Sequence, residues 1–292
     1  MLAGAEPFSV DAGEIGVVLC HGFTGSPQSM RPWAQAVADA GHSVRLPLLP
    51  GHGTRWQDLN QTTWRQWYGH ADAGHSVRLP LLPGHGTRWQ DLNQTTWRQW
   101  YGHVDAAFEE LRARCTAVFA MGLSMGGALA LRLAEEHGDA VAGVVAVNPY
   151  ISHKQQHPLL PALPVLRWAL PWFPGVVGDI KKPGVTELGY KQLPLHALSS
   201  LIQFHAMVRA DLARVTQPLL LMYSAVDHVV PAATNAHAVR DGVGSCDVTE
   251  IVLQDSYHVA TLDNDAERIE KESLAFVARV AGNAPAAEGT HR

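Results

Sequence analysis

Short runs of consecutive hydrophobic residues alternate along this chain with segments in which hydrophobic residues recur every three or four positions. The consecutive runs are rich in β-branched residues and predict strands buried on both faces, whereas the periodic segments predict helices. The predicted strands are 16–20, 43–49, 117–121, 143–147, 219–223 and 248–253, and the predicted helices are 30–40, 95–114, 126–137 and 265–280. This alternation indicates an α/β protein with a mostly parallel sheet and helices on both faces.

The alternation is interrupted between residues 150 and 205, which are rich in proline and aromatic residues. We therefore predict a single domain over residues 1–292, with a small cap inserted at 150–205 above the ends of the strands. The most membrane-like stretch, residues 159–178, lies in this cap. Its four prolines and Arg167 argue against a regular membrane-spanning helix.

Two identical segments of 33 residues follow each other, at 38–70 and 71–103. A repeat architecture needs several diverged units, so two identical copies do not define one. Lengthening a loop of roughly 10 residues by about 33 costs about 1.3 kcal/mol of closure entropy. Each buried Leu or Val side chain lost from a core costs more, roughly 1.5–3 kcal/mol. We therefore expect the fold to form around one copy's worth of this sequence, with the other copy surplus.

The surplus copy carries apolar residues of its own, so we expect lowered stability and self-association through this segment. Three arrangements stay open for it: an added edge strand, a helix that covers itself, or pairing with another molecule.

Composition and charge narrow the classes of partner. The net charge of −5 argues against a nucleic-acid partner. The chain has 16 histidines and 9 tryptophans, but the two repeated segments supply six of each, so we expect no metal and no other cofactor. The three cysteines are far apart, and the N-terminal residues show neither a basic start nor a long apolar run. These features predict a reduced, cytoplasmic protein without a signal peptide.

A candidate nucleophile lies between a predicted strand and a predicted helix. Residues Gly122 to Gly126 read GLSMG and match the pattern G-x-S-x-G in the strand–turn–helix context that the pattern requires. The glycines allow a sharp turn, and the helix amino end favours negative charge at Ser124. The alternative is a chance glycine-rich turn. We interpret Ser124 as a catalytic nucleophile.

A serine hydroxyl needs a base, and this type of turn predicts the chain order serine, acid, histidine. Asp227 follows the strand predicted at 219–223, and His258 follows the strand predicted at 248–253. We assign His258 as general base and then acid, and Asp227 as the residue that orients it. Asp255 is a rival acid, but it is only three residues from His258 along a loop. His228 is interpreted as a neighbour rather than the base.

A tetrahedral intermediate also requires hydrogen-bond donors for its oxyanion. The backbone N–H of Met125, directly after the nucleophile, is one candidate. The second donor is expected from the loop HGFTGSP at 21–27, where we choose the N–H of Phe23.

Taken together, six segments resemble the small α/β-hydrolase esterases that include bacterial monoacylglycerol lipases and carboxylesterases. They span nearly the whole chain in family order and read HGFTGSPQSMRPWA, LPLLPGHGT, GLSMGG, KKPGVTELGY, DHVVP and SYHVATLDND. The resemblance implies an α/β-hydrolase fold and hydrolysis of monoacylglycerols or short to medium acyl esters through an acyl-enzyme. It implies the same roles for Ser124, Asp227, His258, Phe23 and Met125. The family carries the repeated segment once, and this chain departs from it there.

In the lipase members a cap glutamate contacts the glycerol hydroxyls, and the matching residue here is Glu187 in TELGY. The alternative for Glu187 is an exposed cap carboxylate. Apolar cap residues are expected to line an acyl tunnel and to contact lipid interfaces, or only to pack the cap on the core. They are Leu163, Val165, Leu166, Leu170, Trp172, Phe173, Val176 and Val177.

Two other functions remain open from the residues alone. A thioesterase or a carbon–carbon bond hydrolase would use the same three catalytic residues. A folded but inactive protein would result if the extra copy blocked the mouth of the site.

Overall fold

The structure is a computed structural model that describes residues 4–49, 89–151 and 162–283. The strands are β1 (Phe8–Val10), β2 (Ile15–Cys20), β3 (Ser43–Leu46), β4 (Ala117–Leu123), β5 (Gly143–Val147), β6 (Trp172–Pro174), β7 (Gln192–Pro194), β8 (Leu219–Ser224) and β9 (Val248–Leu253). The helices are α1 (Arg31–Asp39), α2 (Trp89–Leu92), α3 (Trp97–Arg112), α4 (Met125–His137), α5 (Leu163–Ala169), α6 (Leu195–Asp211), α7 (Ala232–Gly242) and α8 (Ala266–Asn283).

Seven strands of the described chain form one sheet in the order β1-β3-β2-β4-β5-β8-β9. All neighbouring pairs run parallel except β1 and β3, which are antiparallel. Because parallel strands end at one edge, the loops that follow β2, β4, β5, β8 and β9 meet above the same edge of the sheet. The predicted mostly parallel sheet is confirmed.

Successive residues of each central strand bury side chains on opposite faces of the sheet. In β2, Val18 and Cys20 join the core under α3, α4, α6 and α7, whereas Val17 and Leu19 join the core under α1 and α8. Both faces are therefore covered by helices, which explains why the strands read as unbroken hydrophobic runs.

The structure differs from the predicted elements mainly at the edge of the sheet and in the cap. The strand predicted to extend to residue 49 ends at Leu46, directly before Pro47, which lacks a backbone N–H for the ladder. β1 was not predicted because three residues are too few to show a period. Helices α2, α6 and α7 and the cap elements α5, β6 and β7 were also not predicted.

The two repeated segments contribute to the described fold in succession. β3 belongs to the first copy, and α2 and nearly half of α3 belong to the second. Residues 50–88, where the copies join, lie outside the described residues. The expectations of a surplus copy and of self-association through it therefore remain predictions.

Between β5 and β8 the described chain adds no strand to the large sheet. It forms α5 and the antiparallel pair β6–β7, and it returns through α6, which packs against α4. Residues 152–161 of the predicted cap lie outside the described part. Within 4–49, 89–151 and 162–283, no helix is both long enough and apolar enough to cross a membrane.

Candidate active site

The turn at Ser124 is strained and tightly packed. Ser124 has φ 58° and ψ −117°, in the left-handed region that non-glycine residues rarely adopt. A Cβ atom on Gly126 would overlap the carbonyl oxygen of Cys20, and one on Gly122 would overlap the carbonyl oxygen of Gly126. Only glycine at these two positions lets β4, the turn and α4 approach β2 so closely. The turn presents Ser124 at the carboxyl edge of the sheet.

Ser124, His258 and Asp227 form a hydrogen-bonded chain across three loops. His258 Nε2 lies 3.0 Å from Ser124 Oγ, and His258 Nδ1 lies 2.7 Å from Asp227 Oδ2. The other oxygen of Asp227 accepts the backbone N–H groups of Val229 and Val230, both at 2.8 Å. These contacts have the geometry of a nucleophile, a base and an orienting acid.

The rival acid, Asp255, and the rival base, His228, each pair with another residue of the described chain. Asp255 pairs with Lys181 Nζ at 2.5 Å, and His228 Nδ1 lies 2.8 Å from Asp179 Oδ1.

The environment of His258 favours its protonated form. Burial alone would lower the pKa of His258, but the hydrogen bond to Asp227 and its charge outweigh burial, with smaller contributions from Glu187 and Asp179. The pKa of His258 therefore lies above its ordinary value. The same contacts therefore stabilise the imidazolium that forms when His258 accepts the proton of Ser124.

A buried polar network supports the loop of His258 from below. Asn148, directly after β5, has φ 43° and donates through Nδ2 to the carbonyl oxygen of His258 at 2.8 Å and to Ser224 Oγ at 3.0 Å. Ser224 Oγ donates to the carbonyl oxygen of Tyr257 at 2.8 Å. Sequence reasoning missed Asn148. The available signal was a polar residue immediately after a fully buried strand.

The loop after β2 is held beside Ser124 by a buried histidine. His21 Nε2 accepts the backbone N–H of Leu49 at 3.0 Å, so its Nδ1 carries the proton and donates to the carbonyl oxygen of Gly22 at 3.0 Å. Phe23 follows in this loop and lines the cavity above Ser124. Met125 is the first residue of α4, and its N–H has no acceptor within the helix. Phe23 and Met125 thus lie at the site, and the oxyanion role of their N–H groups stays a prediction.

A cavity of about 440 Å³ opens above Ser124 between the sheet edge and the cap. One part is apolar and lies against α5 and α6, where Leu163, Leu166, Leu195, Leu198 and Leu201 line it. Polar side chains also line the cavity, at Ser124, His258, Asp179, Glu187 and His228. The cavity wall therefore combines apolar and polar side chains, and Ser124 is accessible from the cavity.

Glu187 lies in the polar part of this cavity and is partly buried, so the exposed interpretation is wrong. Its Oε2 accepts the backbone N–H of Gly178 at 3.2 Å. Burial raises the pKa of Glu187, although the Gly178 N–H and nearby His258 act in the opposite direction.

The apolar cap residues divide between the cavity and the surface. Leu163, Leu166, Phe173 and Val176 line the cavity. Val177 is not among the described lining residues, and its side chain lies beside Gly189 instead. Exposed apolar side chains are concentrated in the same segment, at Val165, Trp168, Leu170, Trp172, Phe173 and Val176.

Asp179 is the second residue that sequence reasoning missed. Its carboxylate contacts the backbone of both His228 and His258. An acidic residue in a loop gives no sequence signal for such contacts. In the three described ranges, no group of three or more His, Cys, Asp or Glu residues is arranged to hold a metal ion.

A serine–histidine–aspartate chain at the carboxyl edge of a mostly parallel sheet defines the serine hydrolases of the α/β-hydrolase fold. Comparison with known proteins places the chain in the same class. The sequence model of the family described as Serine aminopeptidase, S33 matches residues 14–265, and the chain belongs to this family.

Individual relatives match over nearly their full length. The chain is 38% identical over 283 residues to a thermostable monoacylglycerol lipase of Bacillus sp. (strain H-257), covering 97% of this chain and 98% of that protein. It is 22% identical over 278 residues to a carboxylesterase of Bacillus subtilis (strain 168), covering 94% and 97%. A solved structure from a study of the metagenome-derived lipolytic enzymes LipS and LipT superposes with a TM-score of 0.80 at 37% identity, covering 95% of this chain and 99% of that one.

Proposed function

We propose that this chain hydrolyses monoacylglycerols and related short to medium acyl esters, with Ser124 as nucleophile, His258 as base and Asp227 as orienting acid. The observation that carries the proposal is the hydrogen-bonded chain from Asp227 through His258 to Ser124 beneath a cavity that both apolar and polar side chains line. The relatives named as monoacylglycerol lipase and carboxylesterase support the ester as substrate class.

Acylation begins when Ser124 Oγ attacks the ester carbonyl carbon while His258 Nε2 takes the hydroxyl proton. The carbonyl π electrons move to oxygen, and the N–H groups of Phe23 and Met125 stabilise that oxyanion. The intermediate then collapses, the bond to the alcohol oxygen breaks, and His258 returns the proton to the leaving alcohol. Asp227 stays ionised and stabilises the imidazolium.

Deacylation repeats these steps with water as nucleophile. His258 takes a proton from water, the hydroxide adds to the acyl carbon, and the bond to Ser124 Oγ breaks. The proton passes from His258 to Ser124, and the fatty acid leaves. No cofactor takes part in either half of this reaction.

The apolar and the polar side chains of the cavity wall suggest where each part of the ester binds. The leucines of α5 and α6, with Val176, form an apolar wall suited to an acyl chain. Glu187 offers a carboxylate to the hydroxyls of a glycerol leaving group. Val177 is also proposed as a substrate-binding residue; it follows Val176 directly, and it is not among the described residues that line the cavity.

The cap surface supports a transient contact with lipid interfaces as part of this proposal. The side chains of Val165 and Trp168 are 74% and 76% exposed on the outer face of α5. The opposite face of α5 carries Leu163 and Leu166 into the cavity wall. A helix with one apolar face toward solvent and another toward the cavity suits transfer of a lipid from an interface into the site.

Three free cysteines support a reducing, cytoplasmic location.

The direct test measures hydrolysis of monoacylglycerols and of p-nitrophenyl esters of graded chain length, with an aminoacyl p-nitroanilide as contrast. We expect turnover of both esters, little turnover of the anilide, and loss of ester turnover by several orders of magnitude in Ser124→Ala. The matched control is Ser245→Ala, because the described hydrogen bonds of Ser245 stay within its own loop, at Asp247.

The assignment of Ser124 is contradicted if Ser124→Ala keeps more than roughly a few per cent of the parent rate, because loss of a triad member lowers kcat by several orders of magnitude. Preferred turnover of the anilide contradicts the ester as substrate class. The hydrogen-bonded triad does not favour the inactive alternative, and the full-length relatives named as lipase and carboxylesterase do not favour a thioester substrate.

A further inference from the structure

One carboxylate of the cap joins the loop of the catalytic acid to the loop of the catalytic base. Asp179 lies between β6 and β7, and its side chain is 9% exposed. Its Oδ2 accepts the backbone N–H of His228 at 3.1 Å and the backbone N–H of His258 at 3.1 Å. His228 directly follows Asp227, so a single oxygen atom links the loop of the catalytic acid to the loop of the catalytic base.

The cap segment around Asp179 is fastened to the His258 loop at further points. The carbonyl oxygen of Asp179 accepts the N–H of Val259 at 3.1 Å. The backbone N–H groups of Lys181 and Lys182 donate to the carboxylate of Asp263 at 2.7 and 2.8 Å. The cap segment is thus fixed to the loop of the catalytic base, and the Asp179 carboxylate extends that attachment to the loop of the catalytic acid.

We propose that Asp179 is a positioning residue that holds the loops of Asp227 and His258 at the separation that the catalytic hydrogen bonds require. The inference rests on the proposed roles of Ser124, Asp227 and His258. It extends them, because the cap then takes part in assembling the triad as well as in enclosing the substrate.

The separation of the two loops matters because both hydrogen bonds of the triad are short, and a small displacement of either loop would lengthen them. The contact from His258 Nδ1 to Asp227 is 2.7 Å, and the contact from Nε2 to Ser124 is 3.0 Å. A misplacement of about 1 Å at a reacting group costs on the order of 10²-fold in rate. Hydrogen bonds from N–H groups to a carboxylate are stronger than those to a neutral acceptor, so they resist such a shift.

The charge of Asp179 also acts on the histidine that it positions. Burial would raise the pKa of Asp179, but hydrogen bonds from the His228 side chain and from the His228 and His258 backbones lower it overall. Asp179 is therefore ionised near neutral pH. Among the described residues, the charged groups that face His258 are Asp227, Glu187 and Asp179, and His228 faces Asp179 from the acid loop.

The test compares Asp179→Ala and Asp179→Asn with the parent chain and with Asp255→Asn. The asparagine variant keeps an oxygen that accepts both N–H groups, and its amide faces His228 Nδ1, but the charge is gone. Asp255 is a matched control because it pairs with Lys181 on the same cap segment, and none of its described contacts is to the triad. The readouts are kcat and KM for a p-nitrophenyl ester, the acid limb of kcat/KM, and the NMR titration of His258.

We expect Asp179→Ala to lower kcat by about 10²-fold while KM changes by less than roughly threefold. Asp179→Asn should recover most of this loss. Its acid limb and its His258 titration should both move to lower pH, because a nearby negative charge has been removed. Asp255→Asn should leave kcat and the His258 titration as in the parent.

The proposal is overturned if Asp179→Ala keeps the parent kcat, if only KM changes, or if the asparagine variant loses as much as the alanine variant. If Asp179→Ala does not fold, an unshifted His258 titration in Asp179→Asn overturns it. Failure of the proposed function looks different. In that case the parent chain shows no ester turnover, whereas the NMR titration still reports whether Asp179 acts on His258.

Discussion

The sheet edge that carries Ser124 and the cap above it are built in opposite ways. In the described chain, three non-glycine residues with positive φ, Thr24, Ser124 and Asn148, follow β2, β4 and β5 at this edge, where strain and dense packing coincide. The described part of the cap instead leaves six large apolar side chains exposed, between Val165 and Val176. The edge is specified by backbone geometry that tolerates almost no added atom. The cap is specified by side-chain chemistry, and a patch of apolar groups at its surface is typical of a site that contacts another apolar surface.

The strongest test of the edge is Gly126→Ala. The added methyl group would overlap the carbonyl oxygen of Cys20, so either the turn or β2 must move. We expect ester turnover to fall by more than about 10²-fold and the free energy of unfolding to fall by on the order of 1–3 kcal/mol. Esterase kinetics and denaturant unfolding measure the two effects.

The control for that change is Gly102→Ala, in α3, where an added Cβ meets no described atom within 4 Å. This variant should keep its activity and its stability or gain stability, since alanine favours a helix over glycine. Equal behaviour of the two variants would show that close packing at the turn is not what requires glycine.

The next largest effect is expected in the polar part of the cavity. Glu187→Ala should raise KM for monoacylglycerols by about 10-fold, because their hydroxyl groups lose a partner. KM for p-nitrophenyl esters should change much less, since these substrates have no glycerol. Steady-state kinetics on both substrates measure the difference, and equal changes would remove Glu187 from substrate recognition.

The exposed cap surface is tested by the double change Val165→Ser and Trp168→Ser. Hydrolysis of monoacylglycerol dispersed above its solubility should slow by roughly 3- to 10-fold, because less apolar area inserts into the interface. Hydrolysis of dissolved p-nitrophenyl acetate should not change. Val226→Ser is the control, since Val226 is 49% exposed but lies outside the cap. An equal loss in the control would contradict a specific role of the cap.

The electrostatics of the edge predict the pH dependence. Only neutral His258 can accept the proton of Ser124, and its pKa is raised chiefly by Asp227. On acidification kcat/KM should therefore begin to fall at a higher pH than for an unperturbed histidine, whose pKa is about 6.5. Rate profiles between pH 5 and 9, roughly the range in which histidine titrates, test this. An acid limb below the ordinary histidine value would show that burial dominates instead.

The smallest change in catalysis is expected from removing one copy of the repeated segment. Any deletion of 33 residues that begins between positions 38 and 71 produces the same shorter chain, and none of the proposed site residues is lost. We expect kcat to stay within about twofold, because the loop cost of about 1.3 kcal/mol acts on folding rather than on the site. Thermal unfolding and light scattering should show a higher Tm and less association. An unchanged Tm, or activity higher by orders of magnitude, would assign the second copy a structural or an obstructing role.

Much of the fold could be predicted because its signals are local. β5 and β9 were predicted with their observed ends, Gly143–Val147 and Val248–Leu253, since both segments are rich in β-branched residues and a polar residue follows each of them. The cap was harder to predict. β6 and β7 are three residues each, and they pair only because the chain returns to place Trp172 opposite Pro194.

What the sequence by itself determined is the succession of six strands of the large sheet and of four helices, together with the turn at Ser124. The hydrophobic period and the pattern G-x-S-x-G are each contained within a few residues, so they are visible in the printed chain. They also predict that Ser124, Asp227 and His258 lie at one edge, because parallel strands end together.

Only the tertiary structure decided which side chains meet at that edge. The bond from His258 to Asp227 spans 31 residues, the contact to Ser124 spans 134, and the contact to Asp179 spans 79. The tertiary structure also decided which of two neighbouring residues faces the substrate. Val176 and Val177 are adjacent in sequence, but of the two only Val176 is among the described residues that line the cavity. Such choices depend on distances of a few ångströms between loops that the sheet brings together, and no local pattern encodes those distances.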